Sequence, residues 1–155
     1  MSPLSLLLVL IAAALIYDFV NGFHDSANIV ATMIVSQAMS VRGALLLAAA
    51  GSLAGPFVFG VAVAHTIGAE VLSAQAITIA VALAALVAAT IWNLATWFFG
   101  IPVSSSHALV GGLLGAGWSH GGPSVILGAG VAKVATALLL SPLLGFGVAL
   151  AVMHL

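Results

Sequence analysis

The stretch Asn21-Gly22-Phe23-His24-Asp25-Ser26-Ala27-Asn28 decides how this chain is read. It sets a carboxylate and two amides inside an apolar run, from about Pro3 to Val35, that is long enough to cross a bilayer. An ionised acid at membrane depth costs at least about 2.5 kcal/mol, so such a residue normally marks an ion or substrate path. The run exceeds one straight crossing by several turns, and it is expected to break or kink at Asn21-Gly22.

The rest of the chain gives that acid a membrane setting. Of the 155 residues, 64% are hydrophobic and 3% charged, a balance that no soluble domain can carry on its surface. The length suits about four to six spanning or half-spanning helices in one membrane domain covering residues 1–155. Asp18, Asp25, Arg42, Glu70 and Lys133 are the only charged side chains. Two cations form no basic patch, which excludes nucleic acid as a partner, and they are too few to set orientation by positive charge. Without cysteine there are neither disulfides nor thiolate metal sites, and no tightly bound metal or cofactor is expected. Pro3 to Ala14 lacks the charged leader of a signal peptide and reads as a retained helix.

Beyond the first run, Gln37 to Gly43 reads as a loop, and Ala44 to about Ile67 as a second crossing that bends at Gly55-Pro56. Gly68 to Gln75, with Glu70, forms the next loop. A third crossing runs from Ala76 to Phe99 and stops at Gly100-Ile101-Pro102. Ser104 to Trp118 is short for a crossing and suits a re-entrant half-helix that starts within the membrane. After a glycine-rich turn at Ser119 to Ser124, a last apolar stretch from Val125 to Leu155 is expected to kink near Pro142. Ala149 to Leu155 offers no charged or aromatic flank, as expected of a fragment of a longer chain at least as much as of a natural small protein.

Two clusters carry chemistry. Asp18, Asn21, Asp25, Asn28, Thr32 and Ser36 recur at intervals of three and four, which puts them on one face of a helix. In a bilayer that face must meet a cavity or another polar helix, and Asp25 with Asn28 offers oxygens to a hard cation or to a protonated anion. Helix-helix hydrogen bonding is the alternative for Thr32 and Ser36, but an acid is a costly packing contact, and Asp18 stands between the two readings. The second cluster, Pro102-Val103-Ser104-Ser105-Ser106-His107, opens a helix. Its hydroxyls and unpaired N–H groups converge where the helix end is positive, so an oxyanion fits without any Arg or Lys. A single serine there would be an N-cap, whereas three in succession beside a histidine favour binding. A serine hydrolase would use the same residue types, but no Gly-x-Ser-x-Gly elbow occurs, and the chain reads as a non-enzyme.

On the third crossing, Thr90, Asn93 and Trp97 share a face, and Asn93 can either add an amide oxygen to a cation site or pair across helices. His24 and His107 adjoin the two clusters as second-shell or proton-relay candidates, while His65, His120 and His154 lie near helix ends without an evident role.

Asn21 to Asn28, Ile91-Trp92-Asn93 and Pro102 to His107, in that order, resemble the inorganic phosphate transporter (PiT) family, in particular its bacterial low-affinity branch. The resemblance spans about Asp18 to Gly117. It implies an all-α membrane protein built from two inverted repeats, each with a broken first helix and a serine-rich re-entrant tip, with phosphate held between them. By motif, Asp25, Asn28, Ser104, Ser105 and Ser106 correspond to the phosphate site. Asn21, Asp25 and Asn93 correspond to a site for the coupling ion, H+ or Na+. The resemblance further implies uptake of phosphate or neutral metal-phosphate complexes by alternating access in a bacterial inner membrane. One motif set is present where the family has two, so a second repeat or a second copy, such as an antiparallel homodimer surrounded by lipid, is expected to complete the site. A sulfate permease of the same fold and a non-transporting assembly subunit are the competing expectations.

Overall fold

The computed structural model describes residues 2–154. Six α-helices follow one another: α1 (Pro3–Val35), α2 (Val41–Phe59), α3 (Ala62–Ala69), α4 (Ile79–Phe98), α5 (Ser105–Gly121) and α6 (Gly128–Met153). Single 3-10 turns at Ala74–Ala76 and Pro123–Val125 lead into α4 and α6. Among the described residues there is no strand, only an isolated bridge between Leu72 and Ile126. Four helices, α1, α2, α4 and α6, are long and apolar enough to cross a membrane, which makes this an all-α integral membrane protein.

The first helix corrects the expectation of a break. α1 runs for 33 residues without interruption through Asn21 and Gly22. Nothing lies within 4 Å of a Cβ placed on Gly22, so neither a close approach nor an unusual dihedral requires the glycine. A glycine inside a helix costs only about 1 kcal/mol relative to alanine, whereas each backbone group unpaired in hydrocarbon costs several. Continuity therefore wins. At its start Ser2 caps the helix, accepting from the Ser5 N–H at 3.2 Å, and Pro3 supplies the first turn, which needs no N–H.

The second crossing also differs from expectation. α2 begins at Val41, capped by Ser40, continues through Pro56 and stops at Gly60, whose φ of +73° is left-handed. The crossing expected from Ala44 to about Ile67 is thus divided at Gly60, and α3 follows as a separate short helix. The expected loop at Gln37 to Gly43 narrows to a tight turn around Gln37, which holds a φ of +56°.

α5 has 17 residues, about 25 Å of helix, less than the roughly 30 Å hydrocarbon thickness. It packs chiefly along α4. The close approach is made by Gly112, where a Cβ would lie 2.7 Å from the Ala85 carbonyl oxygen. α1 also packs on α4, with the Phe23 and Trp97 rings edge to face at a centroid distance of 5.3 Å. Val71, Val110 and Val134 form a small core that ties the loop after α3 to α5 and α6. Two backbone bonds, Ser73 N–H to Val125 O at 2.8 Å and Leu127 N–H to Val71 O at 3.0 Å, clamp the loops that launch α4 and α6. Beyond Leu138, α6 is exposed on every side, an apolar surface suited to lipid or to further helices.

Candidate functional site

The packing of α1 and α5 on α4 brings the two sequence clusters together. The Ser105 hydroxyl donates to Asp25 Oδ2 at 2.8 Å, a contact between residues 80 apart in the chain. Ser105 is buried, and Asp25 partly so. A hydroxyl bonded to a carboxylate in low dielectric is strong, and the N-terminus of α5 adds a favourable field for negative charge. The acid therefore stands where the helix end best tolerates an anion.

The three serines take different places, because successive helix positions point about 100° apart. Ser104 is the N-cap of α5, accepting from the His107 N–H at 3.5 Å, and its side chain is otherwise exposed. Ser105 faces Asp25. Ser106 turns away toward a cleft bounded by α3 and α6. The tip is thus a cap, a contact to the acid and a wall of a separate cleft.

The expected polar stripe on α1 straddles the edge of the packed face. Asn21 and Asp25 are partly buried, whereas Asp18, Asn28, Thr32 and Ser36 are exposed within this chain. The buried face of α1 is carried instead by Tyr17, Val20 and His24, one residue behind the predicted line. Asn93 on α4 is fully buried at 0% exposure. Asn21 Oδ1, His24 Nδ1 and both side-chain polar atoms of Asn93 are buried without a hydrogen-bond partner. Buried polar atoms are rarely left unpaired, and an amide oxygen is a group that a hard cation or a donor can take. No group of three or more metal-ligating His, Cys, Asp or Glu occurs among the described residues. His107 is exposed and lines an open groove of about 890 Å³ between α4 and α5, bordered by Trp92, Gly111, Gly115 and His120. That groove does not include Asp25.

Sequence reasoning missed Tyr17. Its hydroxyl donates to the Ser105 carbonyl oxygen at 2.9 Å and is buried, holding the start of α5 against α1. The signal was available: Tyr17, Asn21 and His24 follow one another at four and three residues, a polar line beside the one chosen. It also missed a second acid contact. Lys133 Nζ on α6 donates to Glu70 Oε2 at 2.8 Å, and this bond holds the Glu70 carboxyl below the usual carboxylate range.

Comparisons with known proteins give the family. Residues 21–155, which hold Asn21 to Asn28 and the serine tip, match the phosphate transporter family. A probable low-affinity inorganic phosphate transporter of Rhizobium meliloti (strain 1021) is 45% identical over 145 residues, covering 94% of this chain and 43% of that protein. The protein of the same description from Bacillus subtilis (strain 168) is 41% identical over 92% of this chain and 43% of its own length. The low-affinity inorganic phosphate transporter PitA of Escherichia coli (strain K12) is 38% identical over 90% of this chain and 30% of its own. The chain thus spans less than half the length of these relatives. No solved structure matches. With the family's match over residues 21–155 and this sequence agreement over most of its length, the chain belongs to the phosphate transporter family.

Proposed function

We propose that this chain forms one half of a secondary transporter that moves inorganic phosphate, alone or as a metal-phosphate complex, across a bacterial inner membrane. The observation that carries the reading is the 2.8 Å contact between Ser105 Oγ and Asp25 Oδ2 at the N-terminus of α5. Phosphate binds at that helix end, taken by the first-turn N–H groups and by Ser104 and Ser105, with Ser106 on the flank toward α3 and α6 handing it on and Asn28 at the edge of the site. Asp25 has two states. When protonated it donates to a phosphate oxygen, and when ionised it holds the coupling ion with Asn21 and Asn93. The partnerless oxygens of those two amides support the assignment. His24, buried beside Asp25, serves as a proton relay for H+ coupling, and His107 and Asp18 lie farther out on the path.

The other half of the site comes from a second inverted repeat or from a second copy in antiparallel orientation, and α5 enters as a re-entrant element between them. The exposed row of Asp18, Asn28 and Thr32 on α1 supports such a partner, since polar side chains left open on an apolar helix need one in a membrane. Cysteine substituted at Gln37, in the turn between α1 and α2, tests the antiparallel pair. Labelling from both sides of sealed vesicles is expected of it, and one-sided labelling excludes it.

Sulfate is the nearest competing substrate. Phosphate carries a proton near neutral pH and sulfate does not, so an acid that alternates between donor and acceptor distinguishes them. Labelled phosphate uptake, competed with unlabelled phosphate or sulfate at several pH values, tests the reading. Competition by phosphate alone at every pH is expected, and equal competition by sulfate would overturn it.

A further inference from the structure

The serine tip has a second side. Ser106 lines a cleft of about 300 Å³ between α3, the start of α5 and α6, whose walls include Thr66, Ile67, Lys133 and Leu138. Lys133 is the only lysine of the chain. Its ammonium donates to Glu70 Oε2 at 2.8 Å, and the Thr66 hydroxyl donates to Glu70 Oε1 at 3.4 Å. Each oxygen of the Glu70 carboxylate is therefore held by one donor, an ammonium and a hydroxyl. His65 Nδ1 stands 4.0 Å from Oε1 on the outer side. An ammonium with an adjacent hydroxyl serves an oxyanion as readily as it serves a carboxylate.

Two further features bear on what this donor pair does. The side chains of Lys133 and Glu70 are 60% and 37% exposed, and an ion pair so open to solvent is weak and exchanges readily. The cleft itself is walled by apolar side chains between Lys133 and Ser106, so an anion entering it finds polar partners only at those two stations and at Thr66. The Glu70 backbone packs closely on Gly130, where any Cβ would overlap the Glu70 carbonyl oxygen.

We infer that Lys133 and Thr66 form an entry subsite for the phosphate oxyanion, occupied by the tethered Glu70 carboxylate until the anion displaces it and passes to Ser106. The inference rests on phosphate being the substrate, as proposed above. Glu70 acts as an internal competitor of the substrate. Its exchange is an ion swap at Lys133 with no covalent step.

Phosphate uptake kinetics of the full-length transporter, as wild type, Lys133→Gln and Glu70→Gln, test it. The entry subsite predicts opposite shifts. Lys133→Gln raises KM about fivefold, and Glu70→Gln lowers it by a similar factor, the size expected for exchanging one exposed ion pair. Raising the ionic strength raises the KM of the wild type and leaves that of Lys133→Gln flat. A purely structural pair would instead lower the thermal stability of both variants and leave both KM values at the wild-type level, and that result overturns the inference. Should Lys133→Gln fail to fold, Glu70→Gln alone decides, because only a competitor's removal lowers KM. Absence of saturable phosphate uptake in the wild type would count against phosphate transport itself. Saturable uptake with unchanged KM in the variants would count against the entry subsite alone.

Discussion

Two acids in this chain are held by partners far along the sequence, and they are held in opposite ways. Asp25 meets a neutral hydroxyl, Ser105, inside the packed crossing of α1, α4 and α5. Glu70 meets a full cation, Lys133, at the exposed edge between α3 and α6. The second pair is neutralised internally, so it leaves no charge for a ligand to satisfy unless a competing anion separates it. Among the described residues the first is met by a hydroxyl and by no cation. Under the proposed function the contrast divides the work: the acid without a cation carries the ion exchange, and the salt bridge stands at the entry.

The two contacts can be broken independently through the glycines that let their helices approach. The largest effect is expected from Gly112→Leu, because a Cβ there lies 2.7 Å from the backbone oxygen of Ala85 and α5 must move off α4. A loss of about 1–3 kcal/mol in stability, read as a lower unfolding midpoint in detergent, is expected together with loss of uptake. The Glu70 contact lies on α3 and α6 and should survive. Next in size, Ser105→Ala removes the donor to Asp25. A hydrogen bond to a charged group contributes about 1.5–3 kcal/mol, so uptake should fall at least about tenfold while the fold persists. Ser104→Ala, which loses only a 3.5 Å cap, should cost less in the same assay.

A smaller effect is expected from Tyr17→Phe. The lost bond to the Ser105 carbonyl should lower stability by about 1 kcal/mol, seen as a shift in the unfolding midpoint. The smallest concerns pH. The folded-state pKa of Glu70 lies below its ordinary 4.5, so the stability it contributes is fully present above that value. It is lost as pH falls through the lowered folded value. Acid titration of the unfolding midpoint should show this loss in the wild type and a flatter curve in Glu70→Gln.

The division between what could and could not be read from sequence follows these same contacts. The four crossings, the short α5 and the residues of both clusters are set by hydropathy, by proline and glycine punctuation and by capping chemistry, all of which act over a few residues. The continuity of α1 through Gly22 was not legible, because glycine weakens a helix slightly and the membrane penalises a break strongly. Nor could sequence choose among Ser104, Ser105 and Ser106, since a one-residue change in helix start rotates each by about 100°. The buried line of α1 runs through Tyr17 and His24 because α4 and α5 pack there, and only tertiary contact decides which of two adjacent polar lines faces inward. Glu70 and Lys133 are 63 residues apart, a separation at which no local pattern pairs them.

The central claim is that Asp25 is the charge around which substrate and coupling ion exchange. Uptake of labelled phosphate by the full-length transporter carrying Asp25→Asn, measured across pH and across sodium concentration, tests it most directly. The amide keeps the size and the contact to Ser105 but cannot ionise, so uptake should lose its dependence on both ions and fall on the order of 10- to 100-fold. Uptake that keeps the wild-type pH and sodium profiles in this variant would contradict the account.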